Sequence, residues 1–131
     1  MKLCLDTNAY ANFKRGNTEL SDLLEKADEI FLPAAVLGEL YAGFFMGNKT
    51  KQNIAELTAF LDLPGVSFVS VTMPLCERYG HVIQMLQQQG TPIPTNDVWI
   101  AATTFETGAR LVTYDKHFDH VPGLTIYSPN S

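Results

Sequence analysis

Cysteines are few in this chain of 131 residues, and no apolar run reaches the roughly 20 residues that a membrane-spanning helix needs. The longest apolar stretch, residues 31 to 46, is interrupted by Pro33 and Glu39. The two cysteines, Cys4 and Cys76, lack the spacing of a metal or redox site, so we expect buried, reduced thiols in a cytoplasmic protein. The N-terminus also lacks the pattern of a secretory signal peptide.

Basic residues are outnumbered, with 9 Lys and Arg against 14 Asp and Glu and a formal net charge of -5. This balance argues against a broad basic surface that binds nucleic acid through its phosphates. It does not exclude a nucleic-acid enzyme, because a bound cation would offset several of the acids. A local basic track remains available from Lys14, Arg15, Lys49, Lys51 and Lys116.

Strand-like and helix-like segments alternate along the chain. The predicted strands are residues 2–5, 30–32, 66–71, 110–113 and 124–127. The predicted helices are residues 7–14, 18–27, 34–46, 50–61, 72–89 and 95–107. This order predicts one domain, residues 1–131, of the α/β class: a three-layer α/β/α sandwich around a central, mostly parallel sheet of four to five strands. Thr18, Thr50 and Thr95 are the predicted N-caps of their helices.

Four acids stand in sequence surroundings that are typical of a protein core: Asp6, Glu39, Asp97 and Asp115. Asp6 and Asp115 follow predicted strands, and Asp97 lies in the first turn of a predicted helix, where the helix dipole favours an ionised carboxylate. The neighbours of Glu39 at helical spacing are mostly small, which leaves room for a metal ion and a phosphate. Because ligands bind at the carboxyl ends of parallel strands, we expect the four acids to share one pocket.

Each acid also has a structural explanation. Asp6 could simply cap a helix, Asp97 could be a partner of the helix dipole, and Asp115 could begin a turn. Glu39 is the hardest to explain in this way, because a buried Glu without a partner costs several kcal/mol. Four carboxylates in one pocket would repel one another unless a cation neutralised them.

A divalent cation that prefers oxygen ligands resolves this repulsion, and Mg²⁺ or Mn²⁺ fits an all-carboxylate site better than Zn²⁺ does. Such an ion, with positions left for water and phosphate, suits the hydrolysis of phosphodiester bonds. The sequence has no glycine-rich phosphate loop and no evident Ser-His-Asp or Cys-His arrangement.

Five segments resemble, in order and at similar spacing, motifs of the PIN-domain ribonucleases, and most closely of the VapC toxins of bacterial type II toxin-antitoxin pairs. They are residues 5–8 (LDTN), 38–40 (GEL), 96–102 (NDVWIAA), 111–118 (LVTYDKHF) and 121–124 (VPGL). The resemblance covers essentially the whole chain. It implies a PIN-like fold and a metal-dependent endoribonuclease that acts on RNA as a toxin. It also implies a homodimer and a VapB-like antitoxin that blocks the site.

By the same resemblance, Asp6 and Asp97 would bind the metal directly, and Glu39 and Asp115 would bind it directly or through water. Thr113 would support these ligands by hydrogen bonding. Asn8 stands where many members have Ser or Thr, and it can still form a hydrogen bond. Separately from the resemblance, Lys14, Arg15 and Lys116 are candidates for contacts with the RNA substrate, and the alternative for Lys14 and Arg15 is a solvated pair.

Three histidines, His81, His117 and His120, are too scattered to predict a zinc site, and we assign His117 to a turn or to the edge of the substrate site rather than to metal ligation. Trp99 is expected in the core. The helix at residues 34–46 is apolar on nearly every face, so it is either central to the core or covered by another chain.

Two other functions compete with the nuclease. A PIN-like module could bind RNA or protein without cutting, although such modules usually lose some of the acids. A phosphoacceptor receiver domain is also a parallel α/β protein with an acidic pocket. It needs an Asp at the end of the third strand, where this chain has Ser70, Val71 and Thr72.

Overall fold

A single parallel sheet organises the computed structural model, which describes residues 1–130. The strands are β1 Lys2–Leu5, β2 Glu29–Pro33, β3 Val66–Val69, β4 Arg110–Val112 and β5 Ile126–Tyr127. The helices are α1 Thr7–Lys14, α2 Thr18–Lys26, α3 Ala34–Met46, α4 Thr50–Leu61, α5 Met73–Gln89 and α6 Thr95–Thr107, followed by a 3₁₀ helix at Lys116–His120. The strands pair in the order β3-β2-β1-β4-β5, and helices flank the sheet. The predicted α/β class is confirmed, and every strand pair is parallel.

The central strand β1 explains where the pocket forms. Leu3, Cys4 and Leu5 are buried, as expected of a strand covered on both faces of a parallel sheet. Leu5 pairs in register with Val112 of β4. The residues that follow these two strands therefore emerge side by side at the same edge of the sheet.

Helix starts differ from the prediction in three places. Asn17, rather than Thr18, caps α2, because its side-chain oxygen accepts the N–H of Leu20 at 3.1 Å. Thr50 and Thr95 are the first residues of their helices rather than the caps. The hydroxyl of Thr50 instead donates to a backbone carbonyl in the last turn of α3 at 2.7 Å.

Two side chains expected in the core lie outside it. Cys4 is buried as predicted, but Cys76 is exposed on α5. Trp99 of α6 is half-buried and stacks on Tyr79 of α5, with ring centroids 4.0 Å apart. Trp99 and Tyr79 lie on the outer side of the α5–α6 pair, where only part of each side chain is covered.

Helix α3 is not buried on all sides within this chain. Val36 and Leu40 are its buried residues. Phe45 and Met46 are 66% and 83% exposed. Its apolar composition therefore reflects an exposed apolar end as well as a buried side. No helix among residues 1–130 is both long and apolar enough to cross a membrane.

The turn before β3 depends on Gly65. Its φ of +80° lies in the left-handed region, and an added Cβ would lie 2.7 Å from the carbonyl oxygen of Asp28. Gly90 has a similar φ of +74° but open space around the position of a Cβ.

We expect Gly90→Ala to lower the free energy of unfolding by about 1–2 kcal/mol through backbone strain alone. Gly65→Ala should cost at least about 1 kcal/mol more, because the backbone of Asp28 must also move. Urea denaturation of both variants measures the difference, and equal losses would contradict the close approach.

Candidate active site

Asp6 is the most buried acid of the site. It follows β1 and caps α1, where its Oδ1 accepts the N–H of Ala9 at 2.8 Å. Its Oδ2 accepts a short hydrogen bond from the hydroxyl of Thr113. Asp6 is only 5% exposed, and each of its two carboxylate oxygens accepts a hydrogen bond. Asp6 therefore both caps α1 and contributes a carboxylate to the site.

Thr113 connects the end of β4 to the next acid. Its buried hydroxyl accepts the backbone N–H of Asp115 at 2.9 Å while it donates to Asp6. Asp115 in turn caps the 3₁₀ helix, since its Oδ1 accepts the N–H of His117 at 2.8 Å. The chain after β4 is therefore folded back towards Asp6 by consecutive hydrogen bonds.

Asp97 reaches the same place from the first turn of α6, with its side chain 17% exposed. Nδ1 of His117 lies 3.1 Å from Oδ2 of Asp97 and 3.2 Å from Oδ1 of Asp115. The ligand atoms of these three residues all lie within 4.8 Å of one another. This grouping has the composition and spacing of a site that could hold a metal ion.

Glu39 completes the acidic group, but it is not buried. It lies on an exposed side of α3, and its Oε1 accepts the hydroxyl of Thr7 at 2.7 Å. The expectation of a buried Glu was wrong, because only the side of α3 that carries Val36 and Leu40 faces the core. Glu39 faces the pocket from its open rim.

Burial and neighbouring carboxylates affect the ionisation of Asp6 and Asp97. Burial raises the pKa of Asp6 to about 6, and repulsion from Asp115 and Asp97 adds to the rise, while hydrogen bonds from Thr113 and from the backbone oppose it. Burial also raises the pKa of Asp97, with further repulsion from Asp115 and Glu39 against the lowering effect of His117. The net shift of the Asp97 pKa is upward, although a position in the first turn of α6 favours the ionised form.

The donor set fits Mg²⁺ or Mn²⁺. Asp97 and Asp115 are grouped at ligand distance, both repel Asp6, and Glu39 repels Asp97; this is the kind of repulsion that a cation relieves. The thiol of Cys4 is a poor ligand, because burial raises its pKa to about 12.

The predicted substrate contacts lie in two places. Lys116 is exposed at the start of the 3₁₀ helix, next to Asp115. Lys14 and Arg15 lie at the far end of α1, about 12 Å along the helix from Asp6 at 1.5 Å per residue. They line a groove that also contains Lys49, Gln52 and Asn53. The expected basic track is therefore partly assembled, beside the acids rather than among them.

Two further residues at the site were not predicted from the sequence. Thr7, rather than its neighbour Asn8, donates to Glu39. The backbone carbonyl of Asn8 accepts from the side chain of Asn12 at 2.9 Å. His117 was assigned to a turn or the substrate edge, whereas its ring nitrogen contacts two of the acids. The sequence signal for this position of His117 was that it follows Asp115, a residue type that caps turns, by two residues.

With this geometry established, comparison with known proteins identifies the class. The PIN domain family matches residues 3–124, and the chain belongs to that family. Among curated proteins, it is 32% identical to Ribonuclease VapC2 of Rickettsia felis over 127 residues, which cover 93% of each chain. It is 27% identical to Ribonuclease VapC1 of Haemophilus influenzae over 126 residues, which cover 92% of each.

The fold agrees with a solved complex. The structure of VapBC2 from Rickettsia felis, bound to a DNA fragment from its promoter, superposes with a TM-score of 0.85 and 27% identity, covering 98% of both chains. The predicted PIN-like sandwich and the resemblance to VapC proteins are thereby confirmed.

Removing the hydroxyl of Thr113 should raise the pKa of Asp6. Thr113→Val keeps the shape of the side chain but loses the donor that favours the ionised carboxylate, so we expect a pKa above about 6. Thr113→Ser keeps that donor and should leave the pKa near its original value. Carbon-13 NMR titration of the Asp6 carboxyl measures both variants. The same pKa in Val and Ser variants would contradict the role given to this hydrogen bond.

Proposed function

We propose that the protein is an Mg²⁺- or Mn²⁺-dependent endoribonuclease that acts as the toxin of a toxin-antitoxin pair. The electrostatic proximity of four acids, two of which lie beyond the carboxyl ends of β1 and β4, carries the proposal. The names of the related VapC ribonucleases support RNA as the substrate. We place this activity in the cytoplasm.

In this proposal Asp6 and Asp97 bind the metal ion directly, and Glu39 and Asp115 bind it directly or through an intervening water. A divalent ion held by these residues would supply Lewis-acid chemistry, polarising a phosphoryl oxygen of the RNA and favouring deprotonation of the attacking water. Thr113 holds the carboxylate of Asp6 in orientation.

Thr7 fixes the carboxylate of Glu39 in the same way, through its hydroxyl. Asn8 lies next to Thr7 but is exposed, and the hydrogen bond to Glu39 comes from Thr7 instead. The hydroxyls of Thr7 and Thr113 orient the acids before substrate arrives, so less ordering is needed during the reaction.

The RNA backbone binds beside the acids. Lys116 contacts phosphate at the rim of the crevice, and Lys14 and Arg15 contact it in the groove beside α1. A negatively charged protein needs such local cations, because the acids alone would repel RNA. The metal ion adds positive charge where the phosphodiester is cut.

Cleavage of RNA with and without metal tests the proposed activity. We expect cleavage in Mg²⁺ or Mn²⁺, none in excess chelator, and a rate lower by on the order of 100-fold or more in Asp97→Asn, because a metal ligand is weakened. Asp22→Asn changes an exposed acid on α2 and should leave the rate unchanged.

Full activity in chelator, or equal rates in Asp97→Asn and the wild type, would contradict metal-dependent cleavage. RNA binding without cleavage under all conditions would favour the non-catalytic module instead.

We assign the exposed apolar end of α3 to the binding of an antitoxin. The exposed Phe45 and Met46 continue the apolar surface of Tyr41 and Phe44, and Phe45 stacks on Tyr41 with ring centroids 6.1 Å apart. An apolar segment of a partner fits this surface. Glu39 lies six residues away on the same helix, about 9 Å along its axis, so an Arg of that partner could reach the acids and block them.

A homodimer is proposed for a different surface. Strand β3 is at the edge of the sheet, and Phe68, Val71 and Met73 in or near it are 56%, 53% and 79% exposed. Apolar side chains grouped at a sheet edge are typical of a site covered by another chain.

Sedimentation equilibrium of the isolated protein tests this arrangement. We expect a dimer for the wild type and a monomer for Phe68→Asp, because a charge at the buried interface is costly. Phe45→Asp, which changes an equally exposed aromatic on α3, should remain dimeric. A dimer in the Phe68 variant, or dissociation in the Phe45 variant, would show that the interface lies elsewhere.

A further inference from the structure

His117 is held over the acids by its backbone as well as by its ring. Its N–H donates to Oδ1 of Asp115 at 2.8 Å, and its Nδ1 lies 3.2 Å from the same oxygen. Nδ1 of His117 also lies 3.1 Å from Oδ2 of Asp97. The first turn of the 3₁₀ helix therefore directs one ring nitrogen between two carboxylates.

These distances match the spacing of neighbouring ligands around one ion. In an octahedral shell with ligands at about 2.1 Å, adjacent ligand atoms are about 3 Å apart. Nδ1 of His117 is at this spacing from an oxygen of Asp97 and from an oxygen of Asp115. Nδ1 of His117 is thus close enough to both carboxylates for one ion to contact all three residues.

The ring can present a lone pair at this position. A neutral imidazole carries its proton on one nitrogen and is an acceptor or ligand at the other. The side chain of His117 is 52% exposed, so solvent is available as the partner of an N–H at Nε2. With the proton on Nε2, Nδ1 would bind a cation in place of the hydrogen bond that joins it to Asp97.

We propose that Nδ1 of His117 is a metal ligand together with Asp97 and Asp115, and that this nitrogen makes the site select Mn²⁺ over Mg²⁺. The inference rests on the proposed metal-dependent function and adds to it a residue and an ion preference. Imidazole nitrogen binds transition-metal ions well, whereas Mg²⁺ prefers oxygen ligands. Loss of the ring should therefore weaken Mn²⁺ binding far more than Mg²⁺ binding.

Pulsed electron paramagnetic resonance of bound Mn²⁺ tests the ligand without any measurement of activity. We expect nitrogen hyperfine coupling from an imidazole in the wild type and its loss in His117→Ala and His117→Gln. His120→Ala, in the same 3₁₀ helix but outside the group of ligand atoms, should keep the coupling. Calorimetric titration should show Mn²⁺ affinity lower by about tenfold or more in His117→Ala, with little change for Mg²⁺.

The outcomes separate this inference from the proposed function. Bound Mn²⁺ without nitrogen coupling in the wild type would overturn the role of His117 and leave the nuclease proposal standing. Equal losses of Mn²⁺ and Mg²⁺ affinity in His117→Ala would overturn the ion preference. Nitrogen coupling in a protein that does not cleave RNA would support the ligand and contradict the nuclease.

Discussion

The hydroxyl of Thr113 joins the two central strands to the acidic pocket. It donates to Asp6 at the end of β1 and accepts the backbone N–H of Asp115 beyond β4. The parallel register that places Leu5 opposite Val112 brings these groups together. The cap of α1 and the start of the 3₁₀ helix both depend on the acids fixed in this way. Sheet pairing, helix starts and the proposed metal site are thus parts of one hydrogen-bonded arrangement.

The burial of Asp6 makes the stability of the fold depend on pH. Burial raises the pKa of Asp6 from 3.8 to about 6, so the folded chain binds this proton more tightly than the unfolded chain does. The resulting stabilisation is complete below the unfolded pKa and is lost as the pH rises through about 6; its size is on the order of 3 kcal/mol. At neutral pH the fold must hold an ionised, buried carboxylate among other acids. A bound divalent cation would offset that cost, which would link stability to the proposed catalysis.

The strands and helices could be predicted because apolar periodicity and turn residues are local signals, and the carboxyl ends of parallel strands located the pocket. The surroundings of individual acids could not be predicted as well. Glu39 was expected to be buried because its neighbours in sequence are apolar, but the sequence does not reveal which side of α3 faces solvent. The position of His117 depends on a 3₁₀ helix that is capped by Asp115, and the backbone N–H of Asp115 is in turn bound by Thr113, a contact that the sequence does not reveal.

The claim on which the account depends is that a divalent cation relieves the repulsion among the four carboxylates. Carbon-13 NMR titration of the Asp6 carboxyl, in chelator and again at saturating Mg²⁺, measures this relief directly. The account predicts a pKa of about 6 in chelator and a value well below 3.8 with Mg²⁺, because the nearby cation stabilises the ionised form. A pKa that stays at about 6 at saturating Mg²⁺ would contradict it.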